Sequence, residues 1–141
     1  MTAFRDLEQC PYGTDDPAFL AVGWLGPDSY FPRGPIPREA FEKLEVLCRN
    51  AWQPFALAGG HQCELCQFEA RILTHMLFVP GQACIYVAPR GITHYIAAHW
   101  YQPPDVFIKA VLDCPPMRSM DYKKAILANG GRGLARHLAA S

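Results

Sequence analysis

Prolines and glycines divide this chain into pieces that are too short for long helices or wide sheets. The sequence has 13 prolines and 11 glycines among 141 residues. Proline has a fixed φ and no backbone N–H, so it ends helices and is excluded from central strands, while glycine favours turns. Paired prolines at 103–104 and 115–116 and the Pro80–Gly81 pair mark three such interruptions. We therefore predict short helices and strands joined by many turns.

The apolar pattern between these interruptions predicts an α+β fold. Apolar runs bounded by turn residues predict four strands, at 18–25, 55–59, 71–79 and 83–88. The Pro80–Gly81 pair between the last two indicates a hairpin. Amphipathic spacing and capping residues predict four helices, at 37–50, 89–100, 105–114 and 121–128. Ser119 is the predicted N-cap of the last of these. Because the strands precede most of the helices, we expect a small antiparallel sheet with helices packed on one side. The domain is expected to span residues 1–131, and a C-terminal tail to span 132–141.

The charge balance and the hydrophobic content exclude two classes of protein. Thirteen basic and 13 acidic side chains give a formal net charge of zero, and half of the residues are hydrophobic. Intrinsically disordered chains have fewer apolar residues or a larger net charge. Proteins dedicated to nucleic-acid binding carry a basic excess. We therefore expect a folded protein whose macromolecular partner, if it has one, is another protein and not a nucleic acid.

The apolar runs and the N-terminal segment indicate the compartment. No run approaches the roughly 18 consecutive apolar residues that a membrane span needs. The first 16 residues lack the apolar core of a signal peptide. The expected location is therefore cytoplasmic, with no membrane partner. Thiols stay reduced in the cytoplasm, so the six cysteines are expected to be buried or metal-bound rather than paired in disulfides.

The segment GHQCELC at residues 60–66 carries the clearest chemical signal. Cys63 and Cys66 form a Cys-x-x-Cys pair, whose thiolates can converge on one ion. His61 lies two residues before Cys63, so in an extended chain the two side chains point to the same face. Zinc prefers such a nitrogen–sulfur set in tetrahedral geometry and needs a fourth ligand. The sequence therefore predicts a zinc site at this segment.

Two histidines on the predicted helix 89–100 are the main candidates for the fourth ligand. His94 and His99 are five residues apart, so they project about 140° apart on one helix. One continuous helix is therefore not expected to direct both toward one ion. His94 lies near the middle of the helix and is preferred, although a distortion before Pro103 would favour His99. The predicted metal ligands are His61, Cys63, Cys66 and His94.

The remaining cysteines are scattered singly along the chain. A lone cysteine in a reduced compartment behaves as a small buried hydrophobe. We therefore expect burial without metal for Cys10, Cys48, Cys84 and Cys114.

Three interpretations of the predicted site remain open. Four protein ligands would close the site and make the zinc structural, in a binding or regulatory module. A vacant position would instead suit a zinc-dependent hydrolase with Glu64 or His99 as general acid or base. The chain lacks the His-x-Glu motif of zinc deaminases and the His-Glu-x-x-His motif of metalloproteases, which favours the structural interpretation. The third is a redox switch in which oxidation links Cys63 to Cys66 and expels the metal.

Four segments of the chain together resemble a group of small, uncharacterised bacterial proteins. They are GWLG at 23–26, GGHQCELCQF at 59–68, THYIAAHWYQPPDVF at 93–107 and CPPMRSMDY at 114–122. The His-x-Cys-x-x-Cys and His-Tyr-Ile-x-x-His motifs carry most of the resemblance, which extends in the same order along nearly the whole chain. The resemblance implies a bacterial cytoplasmic protein with a metal site at its cysteine–histidine cluster. It implies no particular activity.

Overall fold

The chain folds into short helices and strands. The computed structural model describes residues 3–11, 16–52, 61–62, 65–66, 72–73 and 76–134, without the side chains of 61–62 and 72–73. The strands are β1 (Phe19–Ala21), β2 (His61–Gln62), β3 (Ile72–Leu73), β4 (Met76–Pro80) and β5 (Ile85–Pro89). The helices are α1 (Arg38–Arg49), α2 (Ile92–His99), α3 (Asp105–Asp113) and α4 (Met120–Ala128), followed by a 3-10 helix (Gly131–Leu134). The strand predicted at 55–59 lies outside the described residues.

A three-stranded sheet in the order β1–β5–β4 forms the centre of the fold. β4 and β5 form the predicted antiparallel hairpin, with Met76 opposite Pro89 and Pro80 opposite Ile85. β1 pairs with β5 in parallel, which the long connection through α1 permits. The α+β class is therefore confirmed, and the sheet is mixed rather than wholly antiparallel. β2 and β3 form a separate antiparallel pair.

Burial on both faces explains why the hairpin strands show little alternation. Every residue of β4 and β5 is buried. Strands covered on both faces carry apolar side chains in consecutive positions. α3 and α4 contact β4, and the Tyr122 hydroxyl on α4 donates a hydrogen bond of 2.6 Å to the Phe78 carbonyl oxygen. The sheet is thus the core layer against which these two helices pack.

β1 is shorter than the predicted strand at 18–25, because the chain turns at Gly23. This glycine has a φ of +81°, a conformation that side chains with a Cβ rarely adopt. A Cβ built on Gly23 would stand 2.9 Å from Cδ1 of Ile92, the first residue of α2. The missing side chain therefore lets the start of α2 pack directly against the end of β1.

The helices begin and end close to their predicted positions. Ser119 is the predicted N-cap of α4, and its Oγ accepts a hydrogen bond of 3.1 Å from the Tyr122 backbone N–H.

Among the described residues, no helix combines the length and the apolar character that crossing a bilayer requires. In the predicted tail, Leu134 is buried, and residues 135–141 lie outside the described residues.

The four scattered cysteines are buried, as predicted. None of them belongs to the one cluster of metal-ligating side chains found among the described residues. Their burial confirms their expected role as small hydrophobes: Cys10, Cys48, Cys84 and Cys114.

Candidate metal centre

Three side chains from two distant parts of the chain converge beside α2. The Cys66 sulfur lies 3.0 Å from Nε2 of His94 and 3.3 Å from Nε2 of His99. All three donor atoms lie within 4.8 Å of one another, and the three side chains are half-buried. A thiolate with two imidazoles is a donor set that zinc prefers. The cluster is thus able to hold a metal ion.

α2 directs both of its histidines toward the same point. Tyr95, between them in sequence, is fully buried and fixes the helix on the core. The His94 and His99 rings stand 5.2 Å apart between centroids, with an interplanar angle of 78°. The prediction that one helix would not direct both toward one ion is therefore wrong. The helical period fixes only the Cα–Cβ directions, whereas the side-chain torsions decide where each ring nitrogen lies.

Cys66 comes from the segment between β2 and β3. These strands pair antiparallel, with His61 opposite Leu73 and Gln62 opposite Ile72. Leu65 and Cys66 pack against the hydrophobic core from the outside. Packing on the core therefore places the Cys66 thiol over α2.

The structure brings together two of the four predicted ligands. Cys66 and His94 are adjacent, as the metal-site hypothesis requires. Cys63 lies outside the described residues, and of His61 only the backbone, in β2, is described. Those two assignments therefore stay predictions, and so does the disulfide switch between Cys63 and Cys66.

His99 is the residue that the sequence argument undervalued. His94 is preferred on sequence grounds because it lies near the middle of the predicted helix, whereas His99 is expected as the ligand only if the helix is distorted before Pro103. The feature that points to His99 as a member of the cluster is its position as the last residue of α2. Trp100 follows with a φ of +60°, so the backbone leaves the helical path immediately after His99. Helical periodicity predicts the direction of a side chain least well at such a terminus.

The spacing within the cluster fits a zinc ion. With Zn–S of about 2.3 Å and Zn–N of about 2.0 Å, tetrahedral geometry separates sulfur and nitrogen by about 3.5 Å. The two sulfur–nitrogen distances are slightly shorter than this, so a small outward movement accommodates the ion. A thiol has a single proton and can donate to only one of the two imidazoles. Loss of that proton on metal binding would leave the sulfur and both ring nitrogens as ligands.

A groove of about 530 Å³ opens beside the cluster. Its described lining residues are Phe31, Arg33, Leu65, Ala98, His99 and Trp100. None of these is acidic, and Arg33 supplies a positive charge. His99 therefore faces both the cluster and a space large enough for a small molecule.

Comparison with known proteins identifies a family. The family model described as Domain of unknown function (DUF7919) matches residues 2–112, a range that contains Cys66, His94 and His99. No curated protein and no solved structure matches the chain.

Proposed function

The chain belongs to the DUF7919 family, a domain of unknown function, and we propose that it binds one zinc ion through Cys66, His94 and His99. The fourth ligand comes from the neighbouring segment, where Cys63 and His61 are the candidates. The observation that carries the proposal is the convergence of three zinc-type donor atoms within 4.8 Å. A cytoplasmic location, where the thiols remain reduced, accompanies it.

The proposed role of the ion is structural, in a binding or regulatory module. β2 and β3 have two residues each, which gives too few hydrogen bonds for independent stability. An ion shared by Cys66 and α2 would attach this segment to the core across 28 residues of sequence. Because the site does not exist in the unfolded chain, the binding free energy would add to the folding free energy.

Elemental analysis and zinc titration test the proposal. Freshly purified protein is expected to hold about one zinc per chain. His94→Ala and His99→Ala are each expected to weaken zinc binding about a hundredfold or more. Even residues that only hydrogen-bond to a metal ligand contribute up to about a hundredfold in affinity, and these histidines are proposed as ligands themselves. Cys66→Ser supplies a third variant, in which the side chain keeps nearly the same size. Cys84→Ala is the matched control, because Cys84 is buried and lies outside the cluster.

Two results would contradict the proposed zinc site. Protein that neither contains zinc after purification nor binds it on titration would overturn the proposal. So would zinc binding that Cys66→Ser and both histidine variants leave unchanged. Circular dichroism of each variant shows whether an altered affinity reflects a lost ligand or a lost fold.

A zinc-dependent hydrolase is a second candidate, favoured by the position of His99 on the open groove. If Cys66, His94 and His99 were the only protein ligands, zinc in that site would supply a water that is nucleophilic near neutral pH. His99 would then be a ligand and unable to carry protons. The remaining candidate for a general base is Glu64, which lies outside the described residues.

Substitutions at the two fourth-ligand candidates separate these roles. In a closed structural site, either Cys63→Ala or His61→Ala weakens zinc binding about a hundredfold. In an open site neither change affects the affinity, and zinc-dependent cleavage of a simple ester such as p-nitrophenyl acetate is expected. If either variant binds zinc more weakly and the unmodified protein does not cleave the ester, the role of the ion is structural.

A further inference from the structure

We propose that the groove beside His99 binds a small aromatic carboxylate, with the carboxylate on Arg33 and the ring against Trp100. This inference goes beyond the zinc site, because neither Arg33 nor Trp100 belongs to the metal cluster. It assigns the proposed module a ligand of defined chemistry.

Backbone hydrogen bonds hold the Arg33 segment against the end of α2. The Gly34 N–H donates to the Trp100 carbonyl oxygen at 3.1 Å, and the Gln102 N–H donates to the Pro32 carbonyl oxygen at 2.9 Å. An isolated antiparallel bridge joins Arg33 to Tyr101. The two walls of the groove are therefore parts of one connected structure.

The Arg33 guanidinium is oriented by an aromatic ring. Its central carbon lies 5.0 Å from the centroid of the Phe31 ring, within the range of a cation–π contact. Phe31 in turn packs edge-on against Tyr101, with 6.0 Å between centroids. The Tyr101 hydroxyl donates a hydrogen bond of 2.7 Å to the Asp6 carboxylate, which anchors this stack in the fold.

The Arg33 guanidinium is exposed and can donate hydrogen bonds to an anion in the groove. Among the described residues, no carboxylate lies within ion-pair distance of its guanidinium. A guanidinium presents parallel N–H donors that match the two oxygens of a carboxylate. An exposed, pre-oriented arginine in a groove whose described lining residues include no acidic side chain is thus suited to a carboxylate ligand.

Trp100 supplies an exposed aromatic wall. The residue is 62% exposed, although its backbone is fixed as the left-handed cap of α2, with the N–H donating to the Tyr95 carbonyl oxygen. The left-handed cap does not itself require an indole at residue 100, because glycine adopts this conformation without strain. A large exposed ring on a rigid backbone favours stacking with an apolar or aromatic ligand. The groove volume of about 530 Å³ matches a small molecule.

Benzoate tests this inference, and benzamide serves as its neutral analogue. Calorimetric titration of the full chain is expected to show saturable benzoate binding and much weaker benzamide binding. Arg33→Gln is expected to raise the benzoate Kd about tenfold or more, since a charged hydrogen-bonded pair is lost. Arg132→Gln is the matched control, because Arg132 is also exposed and does not line the groove.

Tryptophan fluorescence locates the ligand. Trp24 and Trp52 are buried, so quenching by benzoate should arise from Trp100 and disappear in Trp100→Phe. Equal affinity for benzoate and benzamide, or an unchanged Kd in Arg33→Gln, would overturn the inference. Zinc content measured on the same samples separates the two proposals. Protein that contains zinc but does not bind benzoate would reject only the proposed ligand site. Protein that binds benzoate but contains no zinc would reject only the proposed zinc site.

Discussion

At the scale of single residues, the surroundings of each thiol decide its chemistry. Cys66 is half-buried and lies within hydrogen-bond distance of two imidazoles, which suits a metal ligand. Cys48 lies on the buried face of α1, and burial raises its pKa from 9.0 to about 12. The Cys48 thiolate is the reactive form, and the interior disfavours it. Cys48 is therefore an inert hydrophobe at neutral pH.

The raised pKa of Cys48 predicts loss of stability at alkaline pH. Its folded pKa lies above its unfolded value, so its contribution is complete below pH 9 and is lost as the pH rises toward 12. At pH 10.5 the loss from this group is about 2 kcal/mol, at 1.4 kcal/mol per pKa unit. Urea unfolding at pH 8 and pH 10.5 should therefore show a smaller loss for Cys48→Ala than for the unchanged protein. Equal losses would show that Cys48 does not titrate as described.

At the scale of elements, helix ends contribute to stability and position the side chains of the candidate site. α4 begins with a side-chain cap, because the Ser119 Oγ accepts the Tyr122 N–H. α2 has no side-chain cap, and it ends at Trp100 in a left-handed conformation. The sequence pattern predicted the first of these ends correctly, since N-capping depends on a local residue preference. The direction of the His99 ring at the second end depends on packing against Cys66.

Removal of the Ser119 hydroxyl is expected to destabilise the protein. Ser119→Ala leaves the Tyr122 N–H without its capping acceptor, which costs about 1 kcal/mol of unfolding free energy. Ser119→Asp, which keeps an acceptor at the N-cap, should retain most of the stability. Urea denaturation measures both changes. A loss as large for Ser119→Asp as for Ser119→Ala would show that capping is not the cause.

At the scale of the whole molecule, the proposed ion joins a weakly held segment to a well-packed core. The β4–β5 hairpin is buried throughout, whereas β2 and β3 pair through only two residues each. Among the described residues, Cys66 and α2 form a contact between the β2–β3 region and the core. Stability is therefore expected to be uneven, and the region around Cys66 should depend most on the metal.

Removal of the metal is expected to loosen the cysteine segment while the sheet stays folded. After chelation of zinc, hydrogen exchange should increase at residues 61–73 and in α2, with little change in β4 and β5. His99→Ala serves as the control, since it should resemble the chelated protein and respond little to further chelator. Unchanged exchange in the unmodified protein after chelation would exclude a structural role for the ion.

The sequence by itself determined the local features of this protein. The prolines and apolar runs predicted the α+β class, the β4–β5 hairpin, the four described helices and the Ser119 cap. It also placed Cys66 and His94 in one predicted metal site, because residue types indicate preferred ligand chemistry, and the two side chains are adjacent in the structure. Only the tertiary structure decided that His99 joins them and that Arg33 and Trp100 form a groove beside it. Local periodicity fixes backbone directions, whereas the meeting of distant side chains depends on torsions and packing across the whole core.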